Sequence, residues 1–126
     1  MLLAGLAYQK YANALAEQQE ILAAIADIVM EAFALESAVL RSEKIAAREG
    51  EERAVHAVRM TRLLVHSRMD VVDQRARTAL AAISSGETLR AQGSALQQFT
   101  QREPVDTISL RRQIAAQVIA QGKYVV

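Results

Sequence analysis

Acid, base and metal chemistry in a helical chain begins with its histidines and carboxylates, and here the nearest pairing is Glu52 with His56. A di-iron site in a helical bundle needs a Glu-x-x-His on each of two helices and a Glu on each of two others. Glu52 to His56 is one residue too long for that motif. His66 has Leu63 three positions before it, and the two histidines sit ten residues apart. The expectation is no metal site, with both histidines solvated or partly packed. Ser84, Ser85 and Ser94 have no histidine at a spacing that suits nucleophilic catalysis. No Gly-x-Gly-x-x-Gly or other Gly-rich phosphate loop occurs. No catalytic, cofactor-binding or metal-binding residue is therefore expected in this chain.

The charged residues read as a solvated surface. Arg59, Arg62, Arg68, Arg75 and Arg77 spread around one helix and alternate with Asp70 and Asp73. With a net charge of +1, no field steers the chain to nucleic acid or an anionic membrane. No cysteine is present, which removes disulfides and thiolate chemistry and fits a reducing cytosol. No apolar run approaches the roughly 20 residues needed to span a bilayer. The segment Met1 to Leu6 is apolar but lacks a basic n-region and a cleavage site, so no signal peptide is read. Tyr8 and Tyr11, beside Leu3, Leu6 and Leu15, suit either a docking patch or packing at the end of a bundle.

The elements that position these residues are helices. Of the 126 residues 52% are apolar, and alanine alone makes up roughly a fifth. Pro104 is the sole proline. After a lead-in over residues 1–11, nothing breaks a helix from Ala12 to Glu49. Ile21, Ile25, Ile28, Ala32, Leu35 and Val39 follow the helical period. A second stripe runs through Leu15, Leu22, Val29, Phe33 and Leu40, so this helix should be buried on more than one side. Gly50 ends it.

A second helix is expected from Glu51 to Ser84, facing inward with Val55, Val58, Arg62, Val65, Met69, Val72, Ala76, Leu80 and Ile83. A third covers Thr88 to Gln101, with Leu89, Leu96 and Phe99 inward and Gly93 at a close helix contact. A fourth runs from Ile108 to Gln121, capped by Asp106 or Thr107 and stopped by Gly122, with Leu110, Ile114, Val118 and Ile119 inward. The short turn at Gly50 makes the first two helices antiparallel neighbours, so residues whose numbers sum to about 100 lie side by side. Glu36 then falls near Arg62, Glu31 near Arg68 and Arg41 near Arg59. At least one of the two glutamates should pair with Arg62 or Arg68. The fold expected is all-α: residues 1–126 as a single four-helix bundle-like domain, built on a long antiparallel hairpin plus two shorter helices. Four helices of these lengths cannot cover both stripes, so apolar surface should remain exposed for a partner or a missing domain.

The stretch from Glu17 to Arg41 resembles the second helical C-terminal domain of very-long-chain-type acyl-CoA dehydrogenases. Glu17-Gln18 precedes Leu22-Ala23-Ala24-Ile25-Ala26-Asp27, then Met30-Glu31-Ala32-Phe33-Ala34-Leu35-Glu36 and Leu40-Arg41. Leu110-Arg111-Arg112-Gln113-Ile114-Ala115 and Gly122-Lys123-Tyr124 resemble the family's final helix. The resemblance implies a parent enzyme that uses FAD to oxidise acyl-CoA to trans-2-enoyl-CoA in fatty acid β-oxidation. Its catalytic glutamate and flavin contacts lie upstream of the matched region, so none is carried to a residue here. This chain would then be a non-catalytic structural and assembly domain. Its implied partner is the flavin-binding core of the same polypeptide, and the implied assembly is a dimer. Membrane association of mitochondrial members is linked to a segment that precedes the matched region and is not transferred. Self-association of the isolated chain and a cytoplasmic location are expected. The rival expectation is a free-standing helical adaptor that binds a partner protein.

Overall fold

A computed structural model describes residues 2–123; within them the chain forms five α-helices and no strand. They are α1 Leu2–Tyr11, α2 Gln19–Glu49, α3 Glu51–Ile83, α4 Gly86–Thr100 and α5 Thr107–Gln121. The all-α expectation holds, with one helix more than expected. The ending Tyr124 of the family-like stretch lies outside the described residues.

The largest departure is at the start. The expected lead-in holds a helix: α1 buries Ala7 with Ile21, Ala24, Ala79 and Ile83. Helix does not run unbroken from Ala12. A 3-10 segment, Ala12–Glu17, separates α1 from α2, and Ala12 takes a φ of 44°. Left-handed backbone is costly for alanine, so packing of α1 overrides local helix preference here. Lys10 Nζ and Tyr11 Oη both donate to the carbonyl of Ala82, at 2.8 and 3.1 Å. Ala82 lies in the last turn of α3, where carbonyls lack helical partners. Tyr11 thus belongs to the packing, whereas Tyr8 is exposed.

Gly50, at φ 87°, is the whole connection between α2 and α3. Its amide closes the end of α2 on the Ala46 carbonyl at 3.0 Å, and its own carbonyl receives Ala54 N–H at 3.1 Å. The chain divides into two compact units: residues 1–32 with 69–102, and residues 33–68 with 103–126.

In the first unit the core comprises Ala7, Ile21, Ala24, Ala79 and Ile83, with Leu3, Leu6, Tyr11, Leu15 and Ile25 against it. Arg75 Nε meets Asp27 Oδ2 at 3.1 Å. Thr100 Oγ1 lies 3.0 Å from Asp73 Oδ1, while Arg77 Nε donates to Asp73 Oδ2 at 2.8 Å. Arg102 pairs with Asp70. Thr100 thereby takes the inward place at the end of α4, and Phe99, expected inward, is 80% exposed. Gly93 marks no close contact either, since an added Cβ would meet nothing within 4 Å.

In the second unit the inward face of α3 is rotated from the expected one. Ala54, His56 and Ala57 are buried, while Val55 and Val58 are exposed. A one-residue turn holds the two helices close at this end, where alanine methyls fit and valine side chains do not. The Thr61 hydroxyl donates to the Ala38 carbonyl at 3.3 Å. Asp106 caps α5, its Oδ1 accepting from Ile108 and Ser109 N–H at 3.1 and 3.0 Å. Gly122, at φ 63°, ends α5. Leu110 is buried, but Ile119, expected in the core, is 79% exposed, because Gln117 and Val118 take the inward positions of that turn.

Candidate interaction surface

Much of the second stripe of α2 is uncovered. Leu22, Val29 and Met30 are exposed on the first unit's part of the helix, and Phe33, Val39 and Leu40 on the second unit's part. Phe33 is 72% exposed and Val29 61%. Isolated exposed apolar residues are ordinary, but Phe33, Val39 and Leu40, repeated along the second unit's part of α2, form a surface that water disfavours. The expected burial of α2 on more than one side is thus not met within this chain. The expected surplus of apolar surface is.

Charge and polarity gather in the second unit. A cleft of about 580 Å³ is lined by Ile45 and Glu49 from the end of α2 and by Gln117 and Gln121 from the end of α5. Glu52, Arg53, Val55, His56, Ala57 and Arg59 from the start of α3 complete it. His56 is 6% exposed, and neither ring nitrogen has a hydrogen-bond partner. The sequence reading of His56 as solvated or partly packed missed this burial. The signal was the flanking pair Ala54 and Ala57, three apart and small enough to sit at a tight helix approach. His66 differs: its Nε2 accepts the Val105 amide at 3.1 Å, which ties the segment after Pro104 to α3. The two histidines are not brought together into a shared ligand set. No group of three or more His, Asp or Glu able to hold a metal occurs among the described residues. A second cleft of about 300 Å³ is lined by Ala38, Arg41, Ser42, Ala57, Met60, Thr61 and Leu64.

Two carboxylates are tuned by their surroundings. A hydrogen bond from Arg77 holds Asp73 below the usual carboxylate range, against a modest opposing effect of burial, with Thr100 adding to the lowering. The hydroxyl and then the amide of Ser109 hold Asp106 below that range. Asp73 ties α3 to α4 through Thr100, Asp106 caps its own helix α5, and neither lines the cleft.

Of the cross-hairpin pairs expected, Glu36 and Arg62 are both exposed and join no ion pair among the described residues. Asp27 and Arg75 form an α2–α3 ion pair in the first unit, and neither Glu31 nor Arg68 is without a partner. No helix among the described residues is long and apolar enough to cross a membrane.

The family profile described as "Acyl-CoA dehydrogenase, C-terminal domain" matches residues 1–98. This chain belongs to the acyl-CoA dehydrogenase C-terminal domain family. A probable acyl-CoA dehydrogenase of Bacillus subtilis (strain 168) is 41% identical over 123 residues, which is 98% of this chain and 21% of the relative. The crystal structure of an acyl-CoA dehydrogenase complexed with FAD from Bacillus anthracis matches with a TM-score of 0.96 and 38% identity. That match covers 99% of this chain and 22% of the other. The acyl-CoA dehydrogenase C-terminal domain described here therefore spans about a fifth of the relatives it matches.

Proposed function

We propose that the chain is the non-catalytic structural and assembly domain of an FAD-dependent acyl-CoA dehydrogenase of the very-long-chain type. The parent would oxidise acyl-CoA to trans-2-enoyl-CoA in fatty acid β-oxidation. The observation that carries this reading is the exposed row Phe33, Val39 and Leu40 in the second unit, on a chain that matches only about a fifth of its relatives. That row would lie against the flavin-binding core, and in the isolated chain would pair with a second copy. The parent assembly would be a dimer and work in the cytoplasm.

The residues present do not fit FAD. The cleft of about 580 Å³ opens at the start of α3, where Glu51 and Glu52 already occupy the positive end of the helix and oppose a pyrophosphate. No reaction step is assigned to a side chain of this domain. Its contribution is to cover and orient.

The test is to purify the chain alone and together with the flavin-binding polypeptide of the same organism. The chain alone should bind no FAD and oxidise no acyl-CoA, should self-associate in sedimentation, and should become monomeric as Phe33→Asp. The joint preparation should hold the chain in one complex with the flavin and oxidise long acyl-CoA thioesters. Tight FAD binding by the chain alone, or no association with any flavin-binding polypeptide, would overturn the reading.

A further inference from the structure

The bend between α1 and α2 sets the fold against its own sequence. Ala12, at φ 44°, is the one non-glycine residue among those described with a left-handed backbone. That conformation is strained for alanine. Residues Ala12–Glu17 wind as 3-10 helix, whose hydrogen bonds are poorer than those of the α-helices on either side. Within ANALAE every residue except Asn13 is a good α-helix former. Neither proline nor glycine occurs from Leu6 to Glu49. Released from the bend, this segment would join α1 to α2 as one continuous helix.

The docking of α1 is what opposes that release. Ala7 is 1% exposed, packed with Ile21, Ala24, Ala79 and Ile83, and Leu3, Leu6 and Tyr11 lie against the same core. Lys10 and Tyr11 add their bonds to the Ala82 carbonyl. The α1 of a second copy carries the same side chains in the same order and can make every one of these contacts. Of the side chains against the core, only Leu15 lies in the hinge itself. Exchange of α1 between two copies therefore keeps the docking contacts and frees both strained bends. Short hinges under strain favour such an exchange.

We infer that the α1 socket of the first unit accepts the α1 of a second copy, with Ala12–Glu17 opening into α-helix as the two chains exchange. The pair is closed by a two-fold axis, each socket being filled by the other chain. Opening takes α1 out of its core, so the outcome is set while the chain folds. Dilute chains close on themselves and concentrated chains exchange. This pairing stands independently of the proposed function and uses a surface other than the exposed row of α2.

Phe33→Asp, at a 72% exposed position, supplies the background for the test, because it removes pairing through the α2 row. Refolded from urea at low concentration, this chain should be the monomer expected above. Refolded at high concentration, it should give a dimer that survives dilution and returns to monomer only after a further round of unfolding and dilute refolding. Adding Ala12→Gly, which suits a φ of 44° and weakens a continuous helix, should cut the dimer yield about tenfold or more. Adding Asn13→Ala instead, at an exposed hinge position, strengthens the continuous helix and should raise the yield. Size-exclusion chromatography with light scattering reads all three chains. Monomer alone after concentrated refolding, a dimer that falls apart on dilution, or a yield indifferent to Ala12→Gly would each overturn the exchange and leave the proposed function standing. Tight FAD binding by the chain alone would overturn the proposed function and leave the exchange untouched.

Discussion

Thr61 Oγ1 donates to the carbonyl oxygen of Ala38 across 3.3 Å, joining α3 to α2 between residues 23 apart in sequence. The bond fixes the register of the hairpin in the second unit. In the first unit Asp27 and Arg75 tie α2 to α3. Thr61→Val keeps the shape and removes the hydroxyl. The Ala38 carbonyl retains its place in the α2 ladder, so the loss should be near the lower end for a hydrogen bond, about 0.5 kcal/mol. Urea unfolding of the two proteins measures it; a loss several times larger would mean that the hydroxyl does more than hold register.

Gly93 sits inside α4 with open space where a Cβ would go. Glycine in a helix interior is less favourable than alanine by about 0.8–1 kcal/mol. Gly93→Ala should therefore stabilise the chain by close to that amount in chemical denaturation. A destabilised variant would reveal a neighbour at this position.

Ile83 and Ile119 were both expected in the core, and only Ile83 is buried. Ile83→Ala should cost about 2–5 kcal/mol through lost burial and a residual cavity. Ile119→Ala should change stability by no more than about 0.5 kcal/mol. Equal effects from the two would contradict the inward face assigned to α5.

Asp73 and Asp106 are both held below the usual carboxylate range, by Arg77 and by Ser109 respectively. A lowered folded value means that the unfolded chain takes up protons first on acidification. The stability these groups contribute is therefore complete above the unfolded value, about pH 4, and is lost as pH falls through their lower folded values. Midpoints of urea unfolding should hold steady down to about pH 4 and then drop. Asp73→Asn and Asp106→Asn should each be less stable at neutral pH and show a shallower drop. An unchanged acid profile for both would show that the two carboxylates are not coupled to folding.

What the sequence made legible is what local chemistry decides. The turn at Gly50, the cap at Asp106 and the stop at Gly122 are set by φ > 0 tolerance and by a carboxylate in the right place, and all three stand where expected. Hairpin register followed from the length of that turn. The break at Ala12 was not legible, because alanine is a good helix former and only the burial of Ala7 against Ile21 and Ala24 favours a bend there. The rotated face at Ala54, His56 and Ala57 was hidden for a related reason: hydrophobicity ranks valine above alanine, whereas a tight helix approach selects for size. His56 was legible as a residue but not as an unsatisfied one, since satisfaction depends on what every neighbour does with its own donors and acceptors.

The tether of Lys10 and Tyr11 to Ala82 has a practical side. A shorter expression clone beginning at Ala12, the seam that helix propensity suggests, would strip the cover from Ile21, Ala24, Ala79 and Ile83 and leave a free carbonyl where two donors had been. Such a product should be recovered as inclusion bodies rather than as a trimmed version of the same fold.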